Sequence, residues 1–421
     1  MHAGSRECHN SGLNIFSIPH TQTSIEESQY VVVKPHSLGN VMEVQLPRTD
    51  RYMDLQNTFL RLRLKLTKRD GTDLANDTQV GLVNNIMDSL FKQIDVTISN
   101  EVITNSDNCH AYKAYISRLL NDTHGASESF VQGQGFYKDV AGSMDVLGAA
   151  NTGYVKRKDL TKNSTPLELI GKIRMGLFEQ SRCMLDNVDM KLKFTRNEDN
   201  FCLLGDAEDV QIVLLEMEVY VKQMKIAESV SLAHKSVLQK NTAKYPWIRL
   251  QMSTHTFAAG LSKIDRELVS GTMPKKIVIG LVETTTFNGV RTKNPFNFKH
   301  FDVQNLSLSV DGRQINGREF HFDFDKHGGL EGYMALFSQT GRWESEAPSN
   351  ISRKDYVNGY TLFVFDLTPD NSLGCYQLHK TGTVHLVLTT SKPLPTSVTL
   401  LCLKEFQHLL QLNQKRQVVE I

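Results

Sequence analysis

The segment NGYTLFVFDLTPD, from Asn358 to Asp370, has the pattern of a single β-strand that follows a glycine-containing turn and ends at Thr-Pro-Asp. Successive side chains of a strand point to opposite faces of its sheet. A strand of a free-standing antiparallel sandwich usually shows one polar face to water. Neither face is polar here, so the sequence predicts that both are covered. The two predicted faces carry Tyr360, Leu362, Val364 and Asp366, and Thr361, Phe363, Phe365 and Leu367.

Strand patterns also dominate the rest of the chain. In FLRLRLKL (Phe59–Leu66), leucine alternates strictly with arginine or lysine, which is typical of a strand with one buried face. Many short strands with few helices predict an all-β protein built from sandwiches or barrels. Helical patterns occur at His110–Leu120, Ser229–Gln239 and Leu330–Gln339. Further strands are predicted at Val41–Pro47, Gln93–Thr104, Leu167–Met175, Val188–Thr195, Val210–Ile226, Tyr245–Phe257, Lys275–Phe287, Val303–Ile315, Gly382–Ser391 and Ser397–Leu409.

The second half of the chain repeats the order of the first. In each half, a strand pair with a tight polar turn precedes a short helix, a loop and then a strongly apolar strand. We therefore predict two copies of one eight-stranded antiparallel sandwich, joined near Gln223–Ser229, although two all-β stretches can also resemble each other by chance. The matched features are the turns Ser99-Asn100 and Asp311-Gly312, the helices in His110–Leu120 and Gly332–Gln339, and the apolar strands Met175–Leu185 and Tyr360–Leu367.

This repeat predicts a domain organisation for the 421 residues. Residues 1–28 form an N-terminal arm, residues 29–225 the first sandwich and residues 226–421 the second. Residues 121–165 form a long insertion in the first sandwich that has no strand or helix pattern, and such loops are usually functional or disordered. Its basic cluster, Lys156-Arg157-Lys158, is predicted to be a solvated loop, with contact to phosphate or an acidic partner as the alternative.

Charge and composition argue against several classes of protein. The formal net charge is +1, and residues 1–30 contain one arginine, three glutamates and no lysine, so neither a basic excess nor a basic arm points to nucleic-acid binding. No window reaches the length of a membrane span, and the N-terminus lacks the pattern of a signal peptide, so we expect a protein kept inside the cell. The cysteines at 8, 109, 183, 202, 375 and 402 are scattered, which predicts reduced, buried thiols.

The sequence offers only weak candidates for a catalytic, cofactor-binding or metal-binding site. In EFHFDFDKH (Glu319–His327), an extended chain would place His321, Asp323, Asp325 and His327 on one face, as in some metal sites, but a solvated edge strand is the simpler interpretation. The glycines of GQGFYKDVAG do not lie between a predicted strand and the start of a predicted helix, so they do not match the glycine-rich motif that binds dinucleotides. His234 is predicted to be an exposed helix residue. We therefore assign no catalytic, cofactor-binding or metal-binding residue, and no cofactor.

Five long stretches of the sequence resemble one family. They are VGLVNNIMDSLFKQIDVTISNEVIT (Val80–Thr104), AYKAYISRLL (Ala111–Leu120), AKYPWIRLQ (Ala243–Gln251), NPFNFKHFDV (Asn294–Val303) and ISRKDYVNGYTLFVFDLTPD (Ile351–Asp370). The chain resembles the major capsid protein of Polinton/Maverick elements and adintoviruses, which is similar in fold to the hexon-type capsid proteins of virophages and adenoviruses. The resemblance extends from Ser17 to the last strand.

The resemblance implies a double jelly roll that is not an enzyme. Three copies would form a homotrimeric capsomer with a pseudo-sixfold outline, within an icosahedral virion shell around double-stranded DNA. Penton or minor capsid proteins would be its other partners, with no sequence-specific nucleic-acid binding. Residues 1–28 would lie inside the shell, and residues 121–165 would form part of an outer tower or a subunit clasp. The second face of the Asn358–Asp370 strand would then pack against the neighbouring domain or subunit.

Two other functions remain open at this stage. One is a tandem sandwich that binds ligands as jelly-roll lectins do, although Trp247 and Trp343, the two tryptophans of the chain, supply little surface for stacking on a sugar. The other is a cupin-like metalloenzyme that uses the histidines and aspartates of Glu319–His327.

Overall fold

The computed structural model describes residues 11–16, 18–315, 319–343, 345, 349–369 and 376–420. In the first half the strands are β1 (Ile25–Val33), β2 (Val41–Gln45), β3 (Tyr52–Lys68), β4 (Val80–Leu82), β5 (Phe91–Ile98), β6 (Glu101–Val102), β7 (Leu167–Lys172), β8 (Met190–Arg196), β9 (Leu203–Gly205) and β10 (Val210–Ile226). In the second half they are β11 (Ala243–Phe257), β12 (Lys263–Thr272), β13 (Lys276–Glu283), β14 (Val303–Val310), β15 (Arg313–Gln314), β16 (Phe320–His321), β17 (Leu362–Asp366), β18 (Thr381–Thr390), β19 (Val398–Leu412) and β20 (Val418–Glu420).

The helices are short and lie between the strands. They are α1 (Ile86–Ser89), α2 (His110–Asn121), α3 (His124–Ser127), α4 (Thr152–Asp159), α5 (Gly176–Glu179), α6 (Asp199–Cys202), α7 (Glu228–Leu238), α8 (Thr284–Phe287), α9 (Leu330–Ser338) and α10 (Arg353–Val357). Single turns of 3₁₀ helix occur at Ser11–Leu13, Phe130–Gln134 and Lys162–Ser164. Within the described part of the chain, none of the helices has the length and apolar character needed to cross a membrane.

The two halves have the same sheet topology. In the first half the strand orders are β1-β10-β3-β7 and β2-β8-β5-β6; in the second they are β11-β19-β13-β17 and β12-β18-β14-β15, and the strand pairings are antiparallel. Each half is thus an eight-stranded jelly-roll sandwich, to which the second half adds β16 and β20 at its sheets. The all-β, double jelly-roll fold with a few short helices is confirmed.

Strand β3 shows how the sequence pattern forms the core. Its leucines lie on the inner face of the sheet and are almost completely buried, while the arginines and lysine between them face outward. Burying one leucine side chain contributes about 1.5–3 kcal/mol. A shift of the strand by one residue would turn the leucines to solvent and the charges into the core, so the alternation also fixes the register.

Equivalent hairpin turns occur in the two halves, as predicted. Ser99 and Asn100 connect β5 to β6 with φ angles of 49° and 72°, and Asp311 and Gly312 connect β14 to β15 with φ angles of 48° and 78°. Two consecutive residues with positive φ form the type I′ turn, whose twist matches that of the strands it joins. Asparagine, aspartate and glycine tolerate this backbone conformation better than most residues.

Two predicted segments differ from the structure. Strand β1 begins at Ile25, inside the predicted arm of residues 1–28, because its backbone pairs in antiparallel fashion with the last residues of β10, starting with Ile25 opposite Ile226. The predicted apolar strand Met175–Leu185 is wrong: its first residues turn into α5, and the counterpart of β17 is β7, which pairs with β3. At the turn, a Cβ on Gly176 would lie 1.7 Å from the carbonyl oxygen of Ile248, so close packing against β11 requires glycine there.

Candidate functional site

The two faces of β17 are buried against different parts of the chain. On one face, Phe363 and Phe365 contact Phe322 and Phe320, with ring centroids 5.3 and 5.5 Å apart. Phe320 belongs to β16, which pairs with the opposite sheet through β14. This face of β17 therefore lies in the core of the second sandwich.

The other face of β17 is covered by an aromatic layer between the sandwiches. Leu362 pairs with Gly280 of β13, and a Cβ on Gly280 would lie 3.0 Å from the Phe298 ring. Behind Phe298 stands Tyr115 of α2, whose ring stacks on Phe296 at 4.0 Å between centroids. Since α2 belongs to the first half, a neighbouring sandwich covers the second apolar face of this strand within one chain.

We call this contact region the joint. It is formed by α2 and residues 121–165 of the first half, and by residues 284–302 and 349–361 of the second.

A buried carboxylate, Asp139, lies at the centre of the joint. One oxygen, Oδ1, accepts hydrogen bonds from Arg157 Nη2 at 2.6 Å and Asn151 Nδ2 at 2.9 Å, and Oδ2 accepts one from Asn294 Nδ2 at 3.0 Å. The Tyr360 hydroxyl donates to the Asp139 carbonyl oxygen at 2.6 Å. The carboxylate thus links both halves.

Arg157 is held as tightly as its partner. It lies in α4 and is 1% exposed, and it also donates to the carbonyl oxygens of Leu82 and Tyr137. A buried charge is tolerated when it is paired and hydrogen-bonded, and both conditions are met here. The prediction of a solvated loop at Lys156-Arg157-Lys158 is therefore wrong: the three residues lie in α4, inside the insertion predicted to have no helix, and Arg157 is buried.

Further contacts from the insertion extend the joint. Lys138 Nζ lies 2.6 Å from Asp355 Oδ2. The amide of Gly142 donates to the carbonyl oxygen of Asn358 at 2.7 Å, and Asp145 accepts a hydrogen bond from the backbone amide of Asn294 at 2.9 Å. Within the chain, the insertion thus works as a clasp between the two sandwiches.

Buried charges anchor α2 to the first half. Arg118 donates to Asp122 at 3.0 Å, and its Nη2 lies 3.4 Å from Asp88 Oδ2. Burial lowers the pKa of Arg118 to about 10, so its guanidinium remains charged at neutral pH. Burial on its own would raise the pKa of Asp88, but the neighbouring His110 and Arg118 hold it below its ordinary value. The helix is therefore fixed on one side and presents Tyr115 to the joint.

The cysteines of the described chain are packing groups. Cys109, Cys202 and Cys402 are buried and Cys183 is half-buried, and each is a free thiol. Burial raises the pKa of Cys109 to about 12 and that of Cys402 to about 11, which disfavours the reactive thiolate. The predicted reduced state agrees with these four residues, whereas positions 8 and 375 lie outside the described residues.

The histidines and aspartates of Glu319–His327 do not form a cluster. The strand ends at His321, whose Nδ1 lies 2.7 Å from Asn305 Oδ1, and the chain then turns so that Asp323 accepts hydrogen bonds from the amides of Lys326 and His327. Within the described residues, no group of three or more histidine, cysteine, aspartate or glutamate side chains is placed to hold a metal ion.

The remaining singled-out residues lie apart from the joint. His234 is exposed on α7, as predicted, and its Nδ1 lies 3.0 Å from the Tyr52 hydroxyl. Trp247 is buried in β11, so its ring is not available to stack on a sugar, while Trp343 is half exposed. The joint itself was missed at the sequence level, because its polar residues are spread over residues 138–360 and share no motif.

Comparison with solved structures places the whole chain in one fold. A chain of the Sputnik virophage structure is similar over 99% of this chain and 93% of its own, with a TM-score of 0.68 at 12% identity. The chain has the double jelly-roll fold. The mavirus major capsid protein matches 99% of this chain and 95% of its own, with a TM-score of 0.55 at 10% identity. The Faustovirus major capsid protein matches 94% and 92%, also with a TM-score of 0.55, at 9% identity.

Sequence comparison reaches one curated relative. An uncharacterized protein of Caenorhabditis elegans is 23% identical over 403 residues, which cover 90% of this chain and 93% of that protein. No protein-family model matches the sequence.

Proposed function

We propose that the protein is a major capsid protein whose homotrimers form pseudo-hexameric capsomers of an icosahedral shell around double-stranded DNA. One observation carries this proposal: two sandwiches of the same topology are fixed side by side by a buried joint, so that each chain supplies two similar building units. Three such chains around one axis supply six similar building units. The whole-chain likeness to major capsid proteins of viruses supports the same function.

The sequence resemblance narrows the proposal to the capsid proteins of Polinton/Maverick elements and adintoviruses. The protein would be structural rather than enzymatic, and its partners would be further copies of itself together with penton or minor capsid proteins. We further propose the division into an arm of residues 1–28, a first jelly roll of residues 29–225 and a second of residues 226–421, with β1 extending into the arm. In the virion, the arm would face the inside of the shell.

Light scattering after size exclusion, with negative-stain imaging of the same peak, tests the function. We expect a stable particle of three times 47.6 kDa with a six-lobed outline, and shells at higher concentration. Shells formed in cells that replicate the genome should protect double-stranded DNA from nuclease. A monomer at every concentration, without shells, would contradict the proposal and favour the alternative of a ligand-binding tandem sandwich.

A further inference from the structure

Equivalent faces of the two sandwiches differ in their exposure. The outer face of the sheet β11-β19-β13-β17 is covered by the first half. Four apolar side chains on this face are at most 1% exposed: Leu362, Val364, Val278 and Leu403. The outer face of the equivalent sheet β1-β10-β3-β7 is open: its exposed apolar side chains are Tyr30, Val32 and Ile170, each 45–50% exposed, with the adjacent Phe130 at 68%. We call the latter the open face.

The helices that follow the two hairpins differ in the same way. In α2, which covers the second sandwich, nine of the twelve residues, all within the described chain, are buried. In α9, which has the equivalent place in the second half, three of the nine described residues are buried, and Leu330 is 42% exposed. The first half therefore has the open sheet face and the buried helix α2, while the second half has the covered sheet face and the partly exposed helix α9.

We propose that the open face of one copy packs against the α9 side of a second copy, which repeats between chains the contact that α2 makes within the chain. The inference rests on the proposed capsomer and names its subunit contact. If each sandwich meets the next in the same manner, the contact is heterologous, and it closes into a ring when the rotations between successive copies add up to a full turn. A second copy is the favoured occupant because the chain itself supplies both the sheet face and the helix that would cover it.

The composition of the open face suits burial by a protein surface. Its aromatic side chain Phe59 contacts Tyr30 and Tyr220, with ring centroids 5.3 and 4.6 Å apart. Beside them, an open groove of about 390 Å³ is lined by apolar side chains that include Phe130 and Ile170 and by polar ones that include Gln56 and Lys172. Aromatic side chains are enriched at the core of protein interfaces, and grooves of this kind receive anchor residues.

Four charged groups on the open face are already paired within the chain. Arg61 donates to Glu168 at 2.6 Å and to Glu218 at 2.9 Å, and Lys34 lies 2.8 Å from the other oxygen of Glu218. The hydrogen bonds from Lys34 and Arg61 lower the pKa of Glu218 to about 2, so the carboxylate remains ionised. A partner can therefore cover these four groups without leaving one of them as an unpaired buried charge, which would oppose binding.

Site-specific cross-linking of the full chain tests the contact. When p-benzoylphenylalanine replaces Ile170, irradiation of the trimer should cross-link this residue to a peptide that contains residues 330–339 of a neighbouring copy. Ile170→Glu should weaken association at least tenfold, as measured by light scattering over a dilution series. The matched control Val102→Glu places the same charge on an exposed apolar residue of the other sheet, 54% exposed, and should leave association unchanged. Circular dichroism should show that both variants fold.

The outcomes separate this inference from the proposed function. Cross-links to residues 330–339, together with dissociation of the Ile170→Glu variant, would establish the contact. A wild-type trimer that survives Ile170→Glu and cross-links outside α9 would overturn the inference and leave the capsomer proposal intact. A wild-type chain that stays monomeric at all concentrations would overturn both.

Discussion

Replacing Asp139 with asparagine tests the joint most directly. The carboxylate oxygens accept three side-chain hydrogen bonds, two at Oδ1 and one at Oδ2. An amide has one oxygen, so whichever way it is oriented, its NH₂ group faces at least one donor. The substitution also leaves the guanidinium of Arg157 buried without an anionic partner. Asp139→Asn therefore tests a charge and a hydrogen-bond network with almost no change in volume.

The expected cost follows from the burial of the pair. Removing one partner of a buried ion pair costs about 3–5 kcal/mol, because the remaining charge cannot reach water. Asp73→Asn is the matched control: Asp73 pairs with Lys65 at 3.4 Å, but its side chain is 66% exposed. Exposed pairs contribute about 0–1 kcal/mol. We therefore expect the two variants to differ by several kcal/mol in the free energy of unfolding.

Urea unfolding followed by tryptophan fluorescence measures the difference. Both tryptophans, Trp247 and Trp343, belong to the second half of the chain, whereas Asp139 belongs to the first. A lower urea midpoint in the tryptophan signal of Asp139→Asn would show that the joint stabilises the second sandwich across the contact. A midpoint no lower than that of Asp73→Asn would refute the reasoning, because the buried pair would then contribute no more than an exposed one.

Three other perturbations have definite expected outcomes. Gly280→Ala should cost about 1–3 kcal/mol in thermal or urea unfolding, because its Cβ would lie 3.0 Å from Phe298; Gly39→Ala, with open space at the Cβ, is the control and should change stability by less than about 0.5 kcal/mol. Burial opposes ionisation of Asp355, but its hydrogen bonds with Lys138 and Ser352 lower its pKa below 3.8. The stability that Asp355 contributes is therefore complete above pH 3.8 and is lost as the pH falls through the lower pKa of the folded state. A pH series of melting temperatures should show this loss, and Asp355→Asn should abolish it. In iodoacetamide labelling at pH 8 with peptide mapping, Cys109 and Cys202 should remain unmodified in the native protein and react in urea, because burial raises both thiol pKa values; rapid native labelling would contradict their placement.

The sequence by itself determined the repeating architecture. Strict alternation in Phe59–Leu66 predicts a strand with one buried face, since a period of two places every second side chain on the same side. Polar two-residue turns at Ser99-Asn100 and Asp311-Gly312 predict hairpins because few residues tolerate positive φ angles. These signals act between residues close together in the chain, and the strand and the two hairpin turns that they predict agree with the structure.

The tertiary structure decided how the two sandwiches are held together. Asp139 is bonded to Arg157, 18 residues away, and to Asn294, 155 residues away, and neither separation corresponds to a local period or motif. An arginine in a basic run is usually solvated, and it becomes a structural residue here because packing excludes water and brings a carboxylate to it. The strand at Leu362–Asp366 shows the same division: its sequence requires cover on both faces, and the fold determines which part of the chain supplies it.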